Sequence, residues 1–379
     1  MSVEIQGFCG APFQPLRDAF AANFVDGLEV GASLALMRHG EPVVDLWAGH
    51  ANWKRTRAWE KDTQVLLFSS NKVPLIFSFL ILVDRGQVDL DATVASYWPE
   101  FAAGGKERVT VREAMTHRAG VPGFSPPLAF DALHDWDGAT ANIAAQTHWF
   151  GGESRVCYHP VTYGFILGEI GRRVDGRLPS QFFREEIAEK AGVDLALALR
   201  SESECERLAG VGYLTPFAPP TGGDPLVGRI MMSEGPGDWT AWERRRADIP
   251  SSNGYGNGRA IARLCAIGAC GGELDGTRYL SKATVDEAVR PQVYAEDPFL
   301  GWIRLGLGFG LDSDGFRAPT PTCAHWGGYG GSFALMDPAT GISCGYAMNN
   351  LIVIPGQMTR EQPRQQRLWG ALGEVISGL

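Results

Sequence analysis

SSNKVPLIFSFLILVDRG, residues 69–86, decides how the rest of the chain is read. Its long apolar run ends at Asp84-Arg85-Gly86, and glycine commonly terminates helices, so the stretch predicts a buried helix. Pro74 is compatible with the first turns, where backbone N–H groups have no intrahelical partner. Ser69 and Lys72 are three residues apart and project from neighbouring points of one helical face. Ser70 is two residues from Lys72 and points away from it. A hydroxyl attacks an acyl carbon poorly unless a base takes its proton, and lysine can be that base when desolvation lowers its pKa. Lys72 lies between the strand-like run TQVLLFSS and the apolar helix, where a solvated surface lysine is out of place. An interior lysine needs a partner or a function. The helix N-terminus at the same place could also help to hold a developing oxyanion.

Outward from this helix, the chain supplies sheet at both ends and helices in the middle. An amphipathic helix is expected at about 15–24. GASLALMRHGEPVVDLWAG (31–49) then reads as a β-hairpin about His39-Gly40-Glu41. Residues 89–290 read mainly as helices joined by Gly/Pro-rich loops, notably VPGFSPP (121–127) and TPFAPPTGGDP (215–225). Short strands return in CAHWGGYGGSFALMDP (323–338) and GISCGYAMNNLIVI (341–354), and a helix closes the chain at 361–378. The fold class expected is α+β: an antiparallel sheet flanked by helices, plus a mainly helical lobe. Residues 1–85 and 300–379 would form the α/β lobe and 86–299 the helical one, with the active site between them.

Composition narrows the function classes. A chain of 379 residues with 45% hydrophobic and 20% charged residues has ample apolar surface for a large enzyme core. The net charge of -9 and the lack of any Lys/Arg-rich stretch argue against nucleic acid as a partner. No stretch approaches the roughly 20 apolar residues of a membrane span. The N-terminal residues lack the basic start and apolar run of a secretory signal, and the seven scattered cysteines show no CxxC spacing. Reduced thiols and a cytoplasmic location are expected. The seven histidines include no HExxH and no His/Cys cluster with ligand spacing, so neither metal nor cofactor is indicated.

S-x-x-K is a signature of β-lactamases and penicillin-binding proteins. Five further segments carry the likeness along the chain: RGQVDLDATVASYWPEF (85–101), VTVREAMTHRAGVPG (109–123), YHPVTYGFILGEIGRRVDG (158–176), NGYGNGRAIARLCAIGACGGELDG (253–276) and HWGGYGGSFALMDP (325–338). Together with residues 69–72 they resemble family VIII carboxylesterases, whose fold is that of class C β-lactamases and D-Ala-D-Ala peptidases. The resemblance covers nearly the whole chain in the expected order. It implies a Ser-Lys-Tyr site: Ser69 and Lys72 match the first motif, Tyr158 matches the tyrosine of Tyr-x-Asn, and Trp326, Gly327 and Gly328 match the Lys-Thr-Gly strand. It also implies an oxyanion hole from the N–H groups of Ser69 and Tyr329. A tyrosinate, or a proton shared by Tyr158 and Lys72, is chemically sensible, because a nearby ammonium lowers a phenol's pKa.

Three departures bear on substrate. Asn71 stands where these enzymes carry Thr, Pro160 replaces the Asn of Tyr-x-Asn, and Trp326 replaces the Lys of Lys-Thr-Gly. The last two remove groups that grip the amide and carboxylate of a β-lactam, which argues for short-chain esters as substrates. A one-residue shift would put His325 in the Lys position, and strand alternation lets only one of His325 and Trp326 face the pocket. On the same site the rival activities are β-lactamase, D-amino acid peptidase and acyltransferase. The opposed reading is a non-catalytic ligand- or protein-binding member of the fold, which retention of Ser69, Lys72 and Tyr158 together disfavours.

Other chemistry-bearing residues have blander readings. Gly341-Ile-Ser-Cys-Gly345 fits the G-x-S-x-G elbow, but that elbow needs a strand, a sharp turn and a helix. Here the chain runs on into apolar residues, so Ser343 reads as a strand residue. His117 is expected to orient a loop, His159 to make buried hydrogen bonds, Tyr163 to pack in the core and Cys157 to be inert.

Overall fold

The computed structural model describes residues 3–214, 224–235, 237–352 and 362–379. The Gly/Pro-rich loop expected at 215–225 therefore falls almost wholly outside the described residues. Six helices frame the site: α1 (Gln14–Val25), α2 (Lys72–Asp84), α3 (Trp136–Ala145), α4 (Thr162–Asp175), α5 (Gly258–Ala269) and α6 (Pro363–Ser377). Among the described residues, nine strands form one antiparallel sheet: β1 (Gln6–Cys9), β2 (Gly31–Arg38), β3 (Glu41–Gly49), β4 (Val293–Asp297), β5 (Gly301–Leu305), β6 (Gly310–Leu311), β7 (Ala324–Gly327), β8 (Phe333–Asp337) and β9 (Ile342–Met348). Their spatial order is β1-β3-β2-β9-β8-β7-β6-β5-β4. The two ends of the chain meet where β2 pairs β9, with Leu34 opposite Tyr346 and Ala35 opposite Gly345. This is the expected α+β architecture.

The hairpin joining β2 and β3 turns on His39 and Gly40, both with positive φ (50° and 83°), the conformation whose twist matches paired strands. Strand β2 is buried along nearly its whole length because helices cover both faces of the sheet. Leu34 and Leu36 join Phe20 of α1 and Leu368 and Leu372 of α6 in one apolar layer. Ala35 and Met37 face the other way, into the core that holds α2, α4 and α5. Alternation along one strand thus serves two cores.

Helix α5 lies very close to the sheet. A Cβ on Gly345 would come within 2.3 Å of the Gly258 carbonyl, and one on Gly258 within 2.8 Å of the Gly345 and Ser33 carbonyls. Ser343 is fully buried in β9 and donates to the Ala262 carbonyl of α5 at 2.7 Å. The G-x-S-x-G match is therefore a helix-on-sheet contact: the serine ties the layers together and the second glycine lets them approach.

Helix α2 is apolar all round and buried from Lys72 to Leu82, as a helix at the centre of a molecule must be. A 3-10 turn, Phe68–Asn71, precedes it. In that tighter winding side chains three residues apart eclipse, which brings Ser69 over Lys72 more closely than an α-helical turn would. Helix α4 follows the YHP segment and ends at Gly176 in the left-handed conformation. No helix among the described residues is long and apolar enough to cross a membrane.

Candidate active site

The turn before α2 is held from three sides. Phe68 has φ of 51°, a left-handed conformation that is strained for a large side chain, and it delivers Ser69 to the start of the turn. Leu67 N donates to Gly254 O at 2.8 Å, and Ser332 Oγ donates to Leu67 O at 2.9 Å. Ser70 Oγ lies 3.0 Å from Ser332 Oγ, so this second serine fastens the turn to the β7–β8 connection and is unavailable to Lys72. Gly328 is part of the same junction. A Cβ there would sit 2.2 Å from Ser332 Oγ and 2.3 Å from Leu67 O.

Lys72 is fully buried. Its Nζ lies 3.3 Å from Ser69 Oγ, 2.6 Å from Pro160 O and 3.2 Å from Ser251 O. Burial drives the lysine pKa well below its ordinary value, and the carboxylate of Glu234 only partly offsets this. A neutral amine has two donors and one lone pair. Two carbonyls take the donors, and the lone pair is left for the Ser69 hydroxyl. Asn71 holds the residue before one of those carbonyls: its Nδ2 donates to Pro250 O at 3.2 Å, next to Ser251.

Tyr158 OH donates to Ser69 Oγ at 2.7 Å, and Lys72 Nζ stands 4.9 Å from the centre of the Tyr158 ring. Burial raises the phenol's pKa, while hydrogen bonds with Ser69 and the Trp326 side chain pull it down by less. The tyrosinate anticipated from the sequence is thus disfavoured. Its expected cause, a lysine ammonium, is itself suppressed by burial. Tyr158 is anchored through its main chain: its N–H donates to Asp297 Oδ2 at 2.5 Å, and Asp297 Oδ1 accepts from Phe299 N and Leu300 N, each at 2.8 Å. One buried carboxylate thereby fixes the tyrosine to the sheet end of β4.

The histidines nearby are structural. His159 Nδ1 lies 2.6 Å from Cys157 O and its Nε2 accepts from Val121 N at 3.3 Å. Burial pushes its pKa down to about 3, so the ring stays neutral. His117 has φ of 58°, accepts from His159 N at 3.3 Å and packs against Tyr158, Tyr163 and Trp326 with ring centres 4.4–5.4 Å apart. It shapes the wall behind Tyr158. Tyr163 is buried and donates to Met115 O at 3.2 Å. Cys157 is buried and its thiol pKa is pushed up.

Ser69 and Tyr158 open onto a cavity of about 710 Å³, mainly apolar, within the usual range for small-molecule sites. Trp326, Gly327, Gly328 and Tyr329 line it, as do Phe68, Phe130 and Trp239. Of the two strand registers, β7 turns Trp326 to the cavity, with its ring centre 5.7 Å from that of Tyr158. His325 does not line the cavity. It packs against Phe316 and Trp369, and burial lowers its pKa to about 3. Asp297, Glu234 and the Ser251 carbonyl were missed by sequence reasoning. Only Asp297 had a local signal, an Asp-Pro turn, and nothing in it pointed to Tyr158. Among the described residues no group of three or more His, Cys, Asp or Glu side chains could hold a metal ion.

Comparison with known proteins agrees with this geometry. The chain is 32% identical over 350 residues to the Esterase/beta-lactamase LipL of Mycobacterium tuberculosis, covering 88% of this chain and 80% of that protein. The crystal structure of a penicillin-binding protein homologue from Caulobacter crescentus superposes with a TM-score of 0.89 at 37% identity, covering 98% of this chain and 100% of the other. A crystal structure described as a family VIII carboxylesterase gives the same TM-score, identity and coverage. Residues 19–360 match the Beta-lactamase family, and the chain belongs to that family.

Proposed function

We propose that this serine hydrolase is a carboxylesterase in which Ser69 forms the acyl-enzyme. The observation that carries the reading is the Ser69 hydroxyl, which meets the buried Lys72 amine at 3.3 Å and the Tyr158 phenol at 2.7 Å at the edge of an apolar cavity. Neutral Lys72 takes the Ser69 proton as Oγ bonds to the ester carbonyl carbon. The oxyanion is held by the N–H groups of Ser69 and Tyr329. Collapse of the tetrahedral intermediate breaks the bond to the alcohol oxygen, which takes a proton from Tyr158. Lys72, now an ammonium, returns a proton to the phenolate. Water then attacks the acyl-enzyme by the reverse path, restoring Ser69. Two lobes are part of the same proposal, with β4 (Val293–Asp297) belonging to the sheet lobe and not to the helical lobe expected to run to 299.

Trp326 and Pro160 support esters over β-lactams, because neither supplies the charge or amide that the lysine and asparagine of the family motifs would. The apolar lining of the cavity suits the acyl chain of a neutral ester. The test is hydrolysis of p-nitrophenyl butyrate by the parent and by Ser69→Ala. Turnover that disappears in the variant supports the reading. Turnover that persists in a folded Ser69→Ala overturns it.

A further inference from the structure

Glu234 lines the cavity together with Ser69 and Tyr158, yet the acyl-transfer steps do not use it. The backbone on either side of it is pinned: Leu128 N donates to Ser233 O at 2.9 Å and Gly235 N donates to Leu128 O at 3.1 Å. Its Oε2 atom is buried and has no hydrogen-bond partner among the described residues. Arg244 is fully buried nearby, bonded to Ser252 Oγ at 3.0 Å and stacked on Phe130 and Trp239 at 4.5 and 5.0 Å. No ion pair within bonding distance joins it to Glu234 among the described residues, and Arg244 does not itself line the cavity. Burial pushes the Glu234 pKa up, and Arg244 opposes this from behind the aromatic wall.

A buried carboxylate oxygen without a donor is unfavourable, and the residue that carries it borders the substrate cavity. The rings of Phe68, Phe130, Trp239 and Trp326 line the same cavity, with Arg244 covering one face of Phe130 and of Trp239, and free aromatic faces attract organic cations. We propose that Glu234 selects substrates by charge, favouring esters that carry an ammonium or similar donor group in the cavity and rejecting those that carry a carboxylate. This rests on the esterase reading above. It adds a repulsive element against anionic substrates to the absence of an attractive one at Trp326.

The test uses p-nitrophenyl esters of one chain length ending in a methyl, a trimethylammonium or a carboxylate group, assayed at several pH values from neutral to alkaline. The parent enzyme should prefer the ammonium ester to the carboxylate ester in kcat/KM by about tenfold or more. Glu234→Gln should collapse that ratio at least about fivefold, and Glu234→Asp should retain it. A ratio near one in the parent overturns the proposal whether or not either variant folds, and so does an unchanged ratio in Glu234→Gln. The methyl-terminated ester reports separately on the esterase reading. If the parent does not hydrolyse it, equilibrium binding of an alkyl-trimethylammonium against an alkyl carboxylate decides the question, and equal affinity overturns the role of Glu234.

Discussion

Tyr158 donates its phenolic hydrogen to Ser69 Oγ across 2.7 Å, and the same phenol is held by Asp297 through its own backbone N–H. In the proposed mechanism the phenol, its pKa raised by burial, is the proton donor to the departing alcohol and then a relay from Lys72. Tyr158→Phe should therefore slow acylation by alkyl esters by about 10²–10⁴-fold, read as kcat/KM, since deacylation of the common acyl-enzyme also uses Tyr158 and limits kcat alike on both. It should slow p-nitrophenyl esters much less, because p-nitrophenolate leaves without a proton. Paired kinetics on ethyl and p-nitrophenyl butyrate measure this, and equal losses on both would remove the leaving-group role.

The pH dependence should report Lys72. Activity needs the neutral amine, so kcat/KM is full above the lysine's folded pKa and falls as pH drops through it. Burial places that pKa well below the ordinary lysine value, and Glu234 is the charge that opposes the shift. The acid limb should end in a plateau well below the range in which a solvated lysine titrates. Activity still climbing tenfold per pH unit into the range of an ordinary solvated lysine would show that a depressed Lys72 is not the base.

Much of this site was legible in the sequence because its chemistry is local. Ser69, Lys72 and the role of Ser70 follow from spacing on one turn, and Tyr158 and Trp326 were found through segments that resemble known enzymes. Glu234, Asp297 and the Ser251 carbonyl were not legible. Each reaches the site from a segment far away in sequence, with no periodicity to announce it. The hairpin at His39-Gly40 was readable from turn chemistry, whereas β4, β5 and β6 are short strands between glycine turns, and no apolar run marked them. The upward shift of the Tyr158 pKa was not legible either, because burial of two neighbouring groups is a tertiary property.

The G-x-S-x-G segment gives a test that separates structure from chemistry. Ser343→Ala removes one buried hydrogen bond to α5, costs about 1 kcal/mol and leaves esterase activity largely intact. Gly345→Ala forces a Cβ against the Gly258 carbonyl and should cost about 1–3 kcal/mol or more. Chemical unfolding of both variants measures the difference. A Gly345→Ala protein as stable as the parent would refute the close packing of α5.

Selectivity should follow the cavity lining. The parent should hydrolyse p-nitrophenyl butyrate far better than nitrocefin, because one absent charged hydrogen bond is worth about 1.5–3 kcal/mol, or about one to two decades in rate. Trp326→Lys should raise nitrocefin turnover relative to the ester. Equal kcat/KM for the two substrates in the parent would contradict the argument from Trp326 and Pro160.

The central claim is that Ser69 is the activated nucleophile, and covalent trapping tests it most directly. The protein is treated with a fluorophosphonate, digested, and the modified peptide located by mass spectrometry. The account predicts a single adduct on Ser69, lost in Ser69→Ala and strongly slowed in Lys72→Met. An adduct on Ser343 or Ser70, or no adduct on an enzyme that hydrolyses esters, would contradict it.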